Sequence, residues 1–321
     1  MTKYIKQNVL LIGIFIISIL LAACGNQPSS SSDTTNEKST NRVLTDAIGH
    51  AVTIPKNPQH VIAPYLEDHL VALGIKPVAQ WSVKGGTSIQ GYLQDSLKDI
   101  PTIEFDLPYE AVTSFNPDLI VIGSPEIAEG EKYEQYSKIA PTYVMGAEDN
   151  NWRNKLLTMG EIFGQTDTAK KVLADYDQFA KEAKEAKEAI HNKVGSPSAT
   201  VIWNIKNTIY MVSDTASSGV VLYEDLGLQT PTLVKEVSAS AAGDWSQVSL
   251  EKFIQIDADY LFVINSDHTG STELLSDPLL ANIPAIKNGH VYEFDQNSSW
   301  LYSGAIANRQ IIQNVVDSIA K

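Results

Sequence analysis

Short, wholly apolar runs alternate with segments of helical period along most of this chain. Val61-Ile62-Ala63, Pro77-Val78-Ala79, Leu119–Ile122 and Thr142–Met145 are the runs in the first half. Their lengths and β-branched content predict buried strands. Between them Tyr65–Leu73, Ile89–Leu97, Lys132–Ile139 and Asn151–Phe163 carry apolar residues at helical spacing. This alternation is the signature of βα units on a largely parallel sheet, and it predicts one α/β lobe over residues 43–164.

The pattern then changes. Val172, Tyr176, Phe179, Ala183, Ala186 and Ile190 follow one another in steps of 4, 3, 4, 3 and 4. That stripe, with the alanine-rich KEAKEAKEA stretch, predicts one long helix within 165–195, ended by Gly195-Ser196-Pro197. A coiled-coil dimer is the other reading of the stripe, but it spans fewer heptads than such a coil needs. A second α/β series fills 196–321. Its expected strands are Thr200–Ile205, Ile209–Val212, Tyr260–Ile264 and Val291–Phe294. Its expected helices are Val220–Leu226, Leu250–Ile256 and Ala305–Ile319.

The two series echo each other. Glu110 opens a short amphipathic segment, Asp118 follows eight residues later, and Leu119–Ile122 comes next; Glu251, Asp259 and Tyr260–Val263 repeat this order. A Glu at a helix start and an Asp before a strand each have a local explanation. Two copies at the same spacing, one in each half, point to two similar lobes.

The chain opens differently. Lys3 and Lys6 precede an apolar run from Val9 to Ala23, shorter than the ~20 residues that span a bilayer. Small residues then lead to Cys24, the one cysteine. Residues 1–23 therefore read as a secretory signal, and Leu21-Ala22-Ala23-Cys24 resembles a bacterial lipobox, with Cys24 as the site of lipidation. Residues 24–42 lack large apolar side chains up to the end of the GNQPSSSSDTTNEKSTN run, as a disordered tether would. The expected location is the cell membrane, lipid-anchored on its extracytoplasmic face.

Composition narrows the partners. The formal charge is −14, and the three arginines are Arg42, Arg153 and Arg309. Nucleic acid, which needs clustered cations, is excluded as a partner. No phosphate loop, dinucleotide fingerprint, nucleophile elbow or HExxH zinc motif occurs. The six histidines show no ligand spacing, and Glu67-Asp68-His69 stands on consecutive helical positions that face different ways. No catalytic residue, metal site or cofactor is expected.

Aromatic residues supply the candidate chemistry. Trp81, Trp245 and Trp300 fall in or beside loops after strands, where open α/β sheets bind ligands. Trp203 lies within a strand and faces either core or cleft. Tyr65 and Tyr302 stand at cleft-edge positions, and Lys84 is the cation next to Trp81. These seven are the expected ligand-binding residues; Trp152 and Arg309 read as structural.

Several of these features together resemble ferric-siderophore-binding lipoproteins of ABC importers. The matching segments are Cys24 with its tether, Val61-Ile62-Ala63-Pro64-Tyr65, Leu70-x-x-Leu73-Gly74-Ile75-x-Pro77-Val78 and Asn116-Pro117-Asp118-Leu119-Ile120. Ile256-Asp257-Ala258-Asp259-Tyr260 and Asn288-Gly289-His290-Val291-Tyr292 extend the likeness over the whole mature chain. The resemblance implies two similar α/β lobes with central, mostly parallel sheets, joined by one long α-helix, with the ligand cleft between them. It implies a monomer that hands a ferric siderophore to a permease dimer and its ATPase. It also implies that Glu110 and Glu251 dock into arginine pockets on that permease. Hydroxamate binders of the family often carry an Arg near the opening of the second lobe, and Asp214–Gly219 has none. Catecholate binders tend to line the cleft with several cations, which are few here. A neutral or weakly anionic ferric hydroxamate or citrate–hydroxamate complex fits best. The alternatives are haem (with Met211 or His268 as axial residue), cobalamin, ferric citrate or a bare metal. A surface-anchored enzyme or a structural lipoprotein fits less well.

Overall fold

Arg42–Thr45 (β1) and Ala51–Ile54 (β2) form an antiparallel hairpin that the apolar pattern does not reveal. Its turn is closed by the Asp46 carboxylate, which accepts the Ile48 and His50 N–H groups. The computed structural model describes residues 41–146, 151–191, 197–241, 243–266 and 272–319. Residues 40–321 make one compact unit. Cys24 and the tether as far as residue 40 lie outside the described residues, as does His268, whereas Arg42, the last residue of the expected tether, begins β1.

The first lobe runs β3 (Val61–Ile62), α1 (Glu67–Ala72), β4 (Gln80–Ser82), α2 (Gln94–Leu97), β5 (Thr102–Glu104) and α3 (Tyr109–Ser114). It continues with β6 (Leu119–Ile122), α4 (Lys132–Ile139), β7 (Thr142–Val144) and α5 (Trp152–Ile162). β3, β6 and β7 form a parallel sheet, and β4 pairs with β5, also in parallel. All four residues of β6 are buried, as a strand covered on both faces requires. The strand expected at Pro77–Ala79 begins three residues later, so Trp81 is a strand residue, not a loop residue.

α6 (Thr166–His191) follows and packs against α5 and, from the far end of the chain, α12 (Ala305–Ile319). Tyr176 and Ala183 are buried as the stripe predicts, but Ala186 is exposed and Lys187 is buried in its place. Lys187 can occupy a core-facing position because its Nζ donates to the Leu226 and Gly227 carbonyls.

The second lobe holds β8 (Ala199–Ile205), β9 (Thr208–Val212) and α7 (Ser217–Val220), which runs on as a π-helical turn over Val221–Asp225. Then come α8 (Thr232–Ala239), β10 (Trp245–Val248), α9 (Leu250–Phe253), β11 (Tyr260–Asn265), α10 (Thr272–Leu275), α11 (Pro284–Lys287), β12 (Val291–Asp295) and α12. The sheet order is β10-β9-β8-β11-β12. β8, β11 and β12 are parallel, while β9 and β10 are added antiparallel. The reversal comes from a two-residue turn, Lys206-Asn207, with both φ positive at 48° and 59°, as a tight hairpin needs.

Equivalent hydrogen bonds mark the two lobes as copies. Asp118, just before β6, accepts the Gln59 and His60 N–H groups that lead into β3. Asp259, just before β11, accepts the Ser198 N–H and hydroxyl that lead into β8. In each lobe one carboxylate sets the start of the neighbouring parallel strand.

One apolar cluster runs through both lobes. Leu70, Leu156 and Met159 of the first join Tyr176 of α6 and Val221, Phe262 and Ile311 of the second. Separate clusters fill the far side of each lobe.

Candidate functional site: the interlobe cleft

Tyr65 follows β3 at the carboxyl end of the first sheet. Its backbone is left-handed, with φ 64°, a conformation that costs a non-glycine residue about 1–3 kcal/mol. The strained residue stays 50% exposed and lines a cleft of about 340 Å³. His69 on α1 and the first turn of α5, from Asn151 to Lys155, complete the first-lobe wall. The Asn151 side chain accepts the Asn154 N–H at 2.8 Å and so fixes that helix start. The opposite wall is Thr215-Ala216-Ser217, Val220, Glu224, Asp244 and the segment Leu301–Ser303. Ser217, also left-handed, donates its hydroxyl to the Tyr302 carbonyl at 3.4 Å and ties two parts of this wall together.

Behind the cleft-lining Tyr65 and Tyr302 pack further rings, Trp81 and Tyr92, which are not themselves among the lining residues. Tyr65 lies 5.1 Å from Trp81 and 5.9 Å from Tyr302, whose ring is 5.2 Å from Tyr92. Burial and the nearby Glu67 push the Tyr302 phenol up to about 12. The Tyr65 phenol is raised further by burial and by Tyr302, Asp244 and Glu67. Both hydroxyls remain donors at neutral pH. Trp152 is buried against Tyr176, 4.7 Å away, and also lines the cleft, so it serves as core and wall together.

The charges at the cleft oppose one another. Arg153 stacks over Trp152 and bonds Asp177 at 2.8 Å and Asp225 at 3.1 Å, so its charge is compensated by two carboxylates. Glu224 and Asp244 line the second-lobe wall, facing Lys155 on the first. Burial raises the Asp244 carboxyl and Lys155 lowers it.

The other expected residues fall in different places. Trp203 and Trp245 are half-buried, 6.0 Å apart edge to face, and pack against the shared core. Trp245 is one residue from the cleft-lining Asp244, and the Trp203 indole N–H donates to Ser266 at 2.7 Å. Lys84 sits exposed on a left-handed turn and is not among the cleft-lining residues. Trp300 is a correction: it is 0% exposed, 4.9 Å from Phe262 and 4.8 Å from Phe294. The short 3₁₀ turn Ser299–Leu301 directs it into the second-lobe core, while Tyr302 at the end of that turn reaches the cleft. Met211 is fully buried in the far core of the second lobe, which removes it as an axial ligand. Among the described residues no group of three His, Cys, Asp or Glu is placed to hold a metal.

Glu67, Asp68 and His69 are all buried despite their consecutive positions, because each is claimed by a different neighbour. Glu67 accepts the Trp81 N–H at 2.6 Å, Asp68 bonds the start of α12, and the His69 Nε2 meets the Trp152 carbonyl at 3.2 Å. Burial pushes Glu67 up to about 7. Burial and the nearby Lys155 bring His69 down to about 4. Glu110 and Glu251 are exposed, each the second residue of its short helix, α3 and α9.

Two α/β lobes facing each other across a preformed, aromatic-walled cleft define a solute-binding protein. The family model described as periplasmic binding protein matches residues 71–298, and the chain belongs to that family, whose members bind rather than transform their ligands. It is 25% identical over 317 residues to the probable siderophore-binding lipoprotein YfiY of Bacillus subtilis, covering 94% of each chain. It is 28% identical over 305 residues to the iron(3+)-hydroxamate-binding protein FhuD of the same organism, again covering 94% of each. Among solved structures, Staphylococcus aureus SirA complexed with staphyloferrin B shares the fold with a TM-score of 0.73 at 23% identity, over 87% of this chain and 98% of that one.

Proposed function

We propose that this protein captures a ferric siderophore outside the cell membrane, to which lipidated Cys24 anchors it, and delivers the complex to an ABC permease. The observation that carries the reading is the interlobe cleft itself. Its volume of about 340 Å³ lies within the ~300–1,000 Å³ usual for small-molecule sites. Its walls offer the Tyr65, Trp152 and Tyr302 rings for the apolar faces of a chelate. The Tyr65 hydroxyl offers a donor for the oxygens around the metal, while the Tyr302 hydroxyl is held at the cleft edge by its bond to the Ile89 carbonyl at 3.4 Å. Iron arrives already wrapped by its chelator, so the protein needs no ligating residue of its own.

The charge pattern favours one chemical class. Among the described lining residues, a triply anionic catecholate complex would meet Glu224 and Asp244 with Lys155 to offset them, since Arg153 is compensated. A neutral ferric trihydroxamate, or a weakly anionic citrate–hydroxamate complex, meets no such opposition. The relative FhuD, named for iron(3+)-hydroxamate binding, supports this choice, and YfiY supports the broader siderophore class. Glu110 and Glu251, exposed at equivalent points of the two lobes, are the proposed permease contacts, because carboxylates accept bidentate bonds from arginine.

The test is tryptophan fluorescence titrated with ferrioxamine B, ferrichrome, ferric citrate, a ferric catecholate, haem and cobalamin. Saturable quenching by the hydroxamates, at concentrations well below those of the others, is expected. Tighter binding of haem or cobalamin than of every ferric complex would overturn the reading.

A further inference from the structure

Asp68 belongs to the first lobe, yet its hydrogen bonds reach the far end of the chain. Its Oδ1 accepts the Ile306 N–H at 3.1 Å and its Oδ2 the Ala307 N–H at 2.9 Å. These are first-turn amides of α12, a 15-residue helix. Such amides need an acceptor, normally the side chain of the residue just before the helix. Here that residue is Gly304, which has none. A Cβ at Gly304 would collide with the Asp68 carboxylate, so the glycine leaves room for a cap supplied from the other lobe. The positive end of the helix dipole and two consecutive N–H bonds compensate a buried carboxylate that would otherwise be costly.

A third bond links this cap to the cleft. The Tyr92 hydroxyl donates to Asp68 Oδ2 at 3.1 Å. The Tyr92 ring packs on Tyr302, and Tyr302 on Tyr65, the two phenols of the cleft walls. α1 also packs directly on α12.

We propose that Asp68 is an interlobe latch and a positioning residue of the binding site: one buried carboxylate of the first lobe caps the last helix of the second and holds Tyr92 against Tyr302. The width of the cleft and the pose of its aromatic wall are thereby set before the ligand arrives, which lowers the ordering cost of binding. The effect on affinity rests on the reading of the cleft as the ligand site; the latch itself does not. The lobes stay together without Asp68, because Arg153 of α5 still reaches Asp225 and the shared apolar core is untouched.

The full chain carrying Cys24→Ser can be spin-labelled at Lys132→Cys and Lys235→Cys, both exposed and one in each lobe. The wild-type background should give one narrow interlobe distance, unchanged by ferrioxamine B. Asp68→Ala should broaden that distance and weaken ferrioxamine B binding about tenfold, measured well below its melting temperature. Asp68→Asn, which keeps a capping oxygen, should restore the narrow distance and most of the affinity. Tyr92→Phe should lower affinity without broadening the distance, and it tests the link to Tyr302 even if Asp68→Ala fails to fold. A wild-type distance and affinity in Asp68→Ala, with only a lower melting temperature, would overturn the latch. So would wild-type affinity in Tyr92→Phe. If the parent protein binds no ferric complex, the proposed function fails, while the distances still decide the latch.

Discussion

The two ends of the strands in this molecule obey different rules. At the outer ends the lobes are near copies: Glu110 and Glu251 each occupy the second position of a short helix, and Asp118 and Asp259 pin the neighbouring strand with matching bonds. At the cleft ends the described elements of the two lobes differ. The first offers a strained tyrosine after a two-residue strand and the capped start of α5. The second offers α7 with its π-helical turn and the Trp300–Tyr302 segment. An outer end has only to start a helix and a strand, which one local solution repeated twice achieves. A cleft wall is assembled from segments distant in sequence, so no single local solution is repeated there.

The largest expected effect lies at the outer ends. Glu110→Ala with Glu251→Ala should stop uptake in vesicles reconstituted with the cognate permease and leave siderophore affinity unchanged. Normal uptake by the double variant would break the comparison, since the matched glutamates would then be helix-start residues worth only ~0.3–1 kcal/mol each.

Trp300 and Tyr302 sharpen the contrast between core and cleft within three residues. Trp300→Ala should cost about 3–5 kcal/mol of stability, as loss of a buried indole does, read as a lower denaturation midpoint. Tyr302→Ala should instead cost about 2 kcal/mol of binding, roughly thirtyfold, with a smaller change in melting. Exchange of the two outcomes would mean that the cleft wall has been assigned to the wrong ring.

The cleft end also carries a pH dependence, partly cancelled in the wild type because Glu67 and His69 shift in opposite directions. Glu67 rises from 4.5 to about 7 in the folded protein. The folded state therefore holds more protons than the unfolded one across that window, and the stability tied to Glu67 falls as pH rises through it. Asp68, also raised by burial, acts in the same direction. His69 falls from 6.5 to about 4, so its contribution is lost as pH drops through that window. Between pH 4.5 and 6.5 the two residues oppose each other. Glu67→Gln should remove one side, so that the variant gains stability relative to wild type as pH rises from 4.5 to 7. Parallel melting curves for both proteins across this range would show that Glu67 is not titrating there.

The sequence by itself determined the alternation of strands and helices, the long helix Thr166–His191, α4 and α12 to the residue, and the repeated Glu–Asp pattern at the outer ends. All of these rest on hydrophobic period and on contacts between chain neighbours, which a linear pattern records. Tertiary structure alone decided which aromatic faced which way. Trp300 and Tyr302 stand two positions apart in the same polar loop, and only the 3₁₀ turn between them sends one to the core and the other to the cleft. It likewise decided the fate of Glu67-Asp68-His69. Helical geometry says that three consecutive side chains diverge, and they do; each is buried because a different distant segment, β4, α12 or the start of α5, arrives to meet it. Those partners lie 14, 239 and 83 residues away, a separation at which local pattern carries no information.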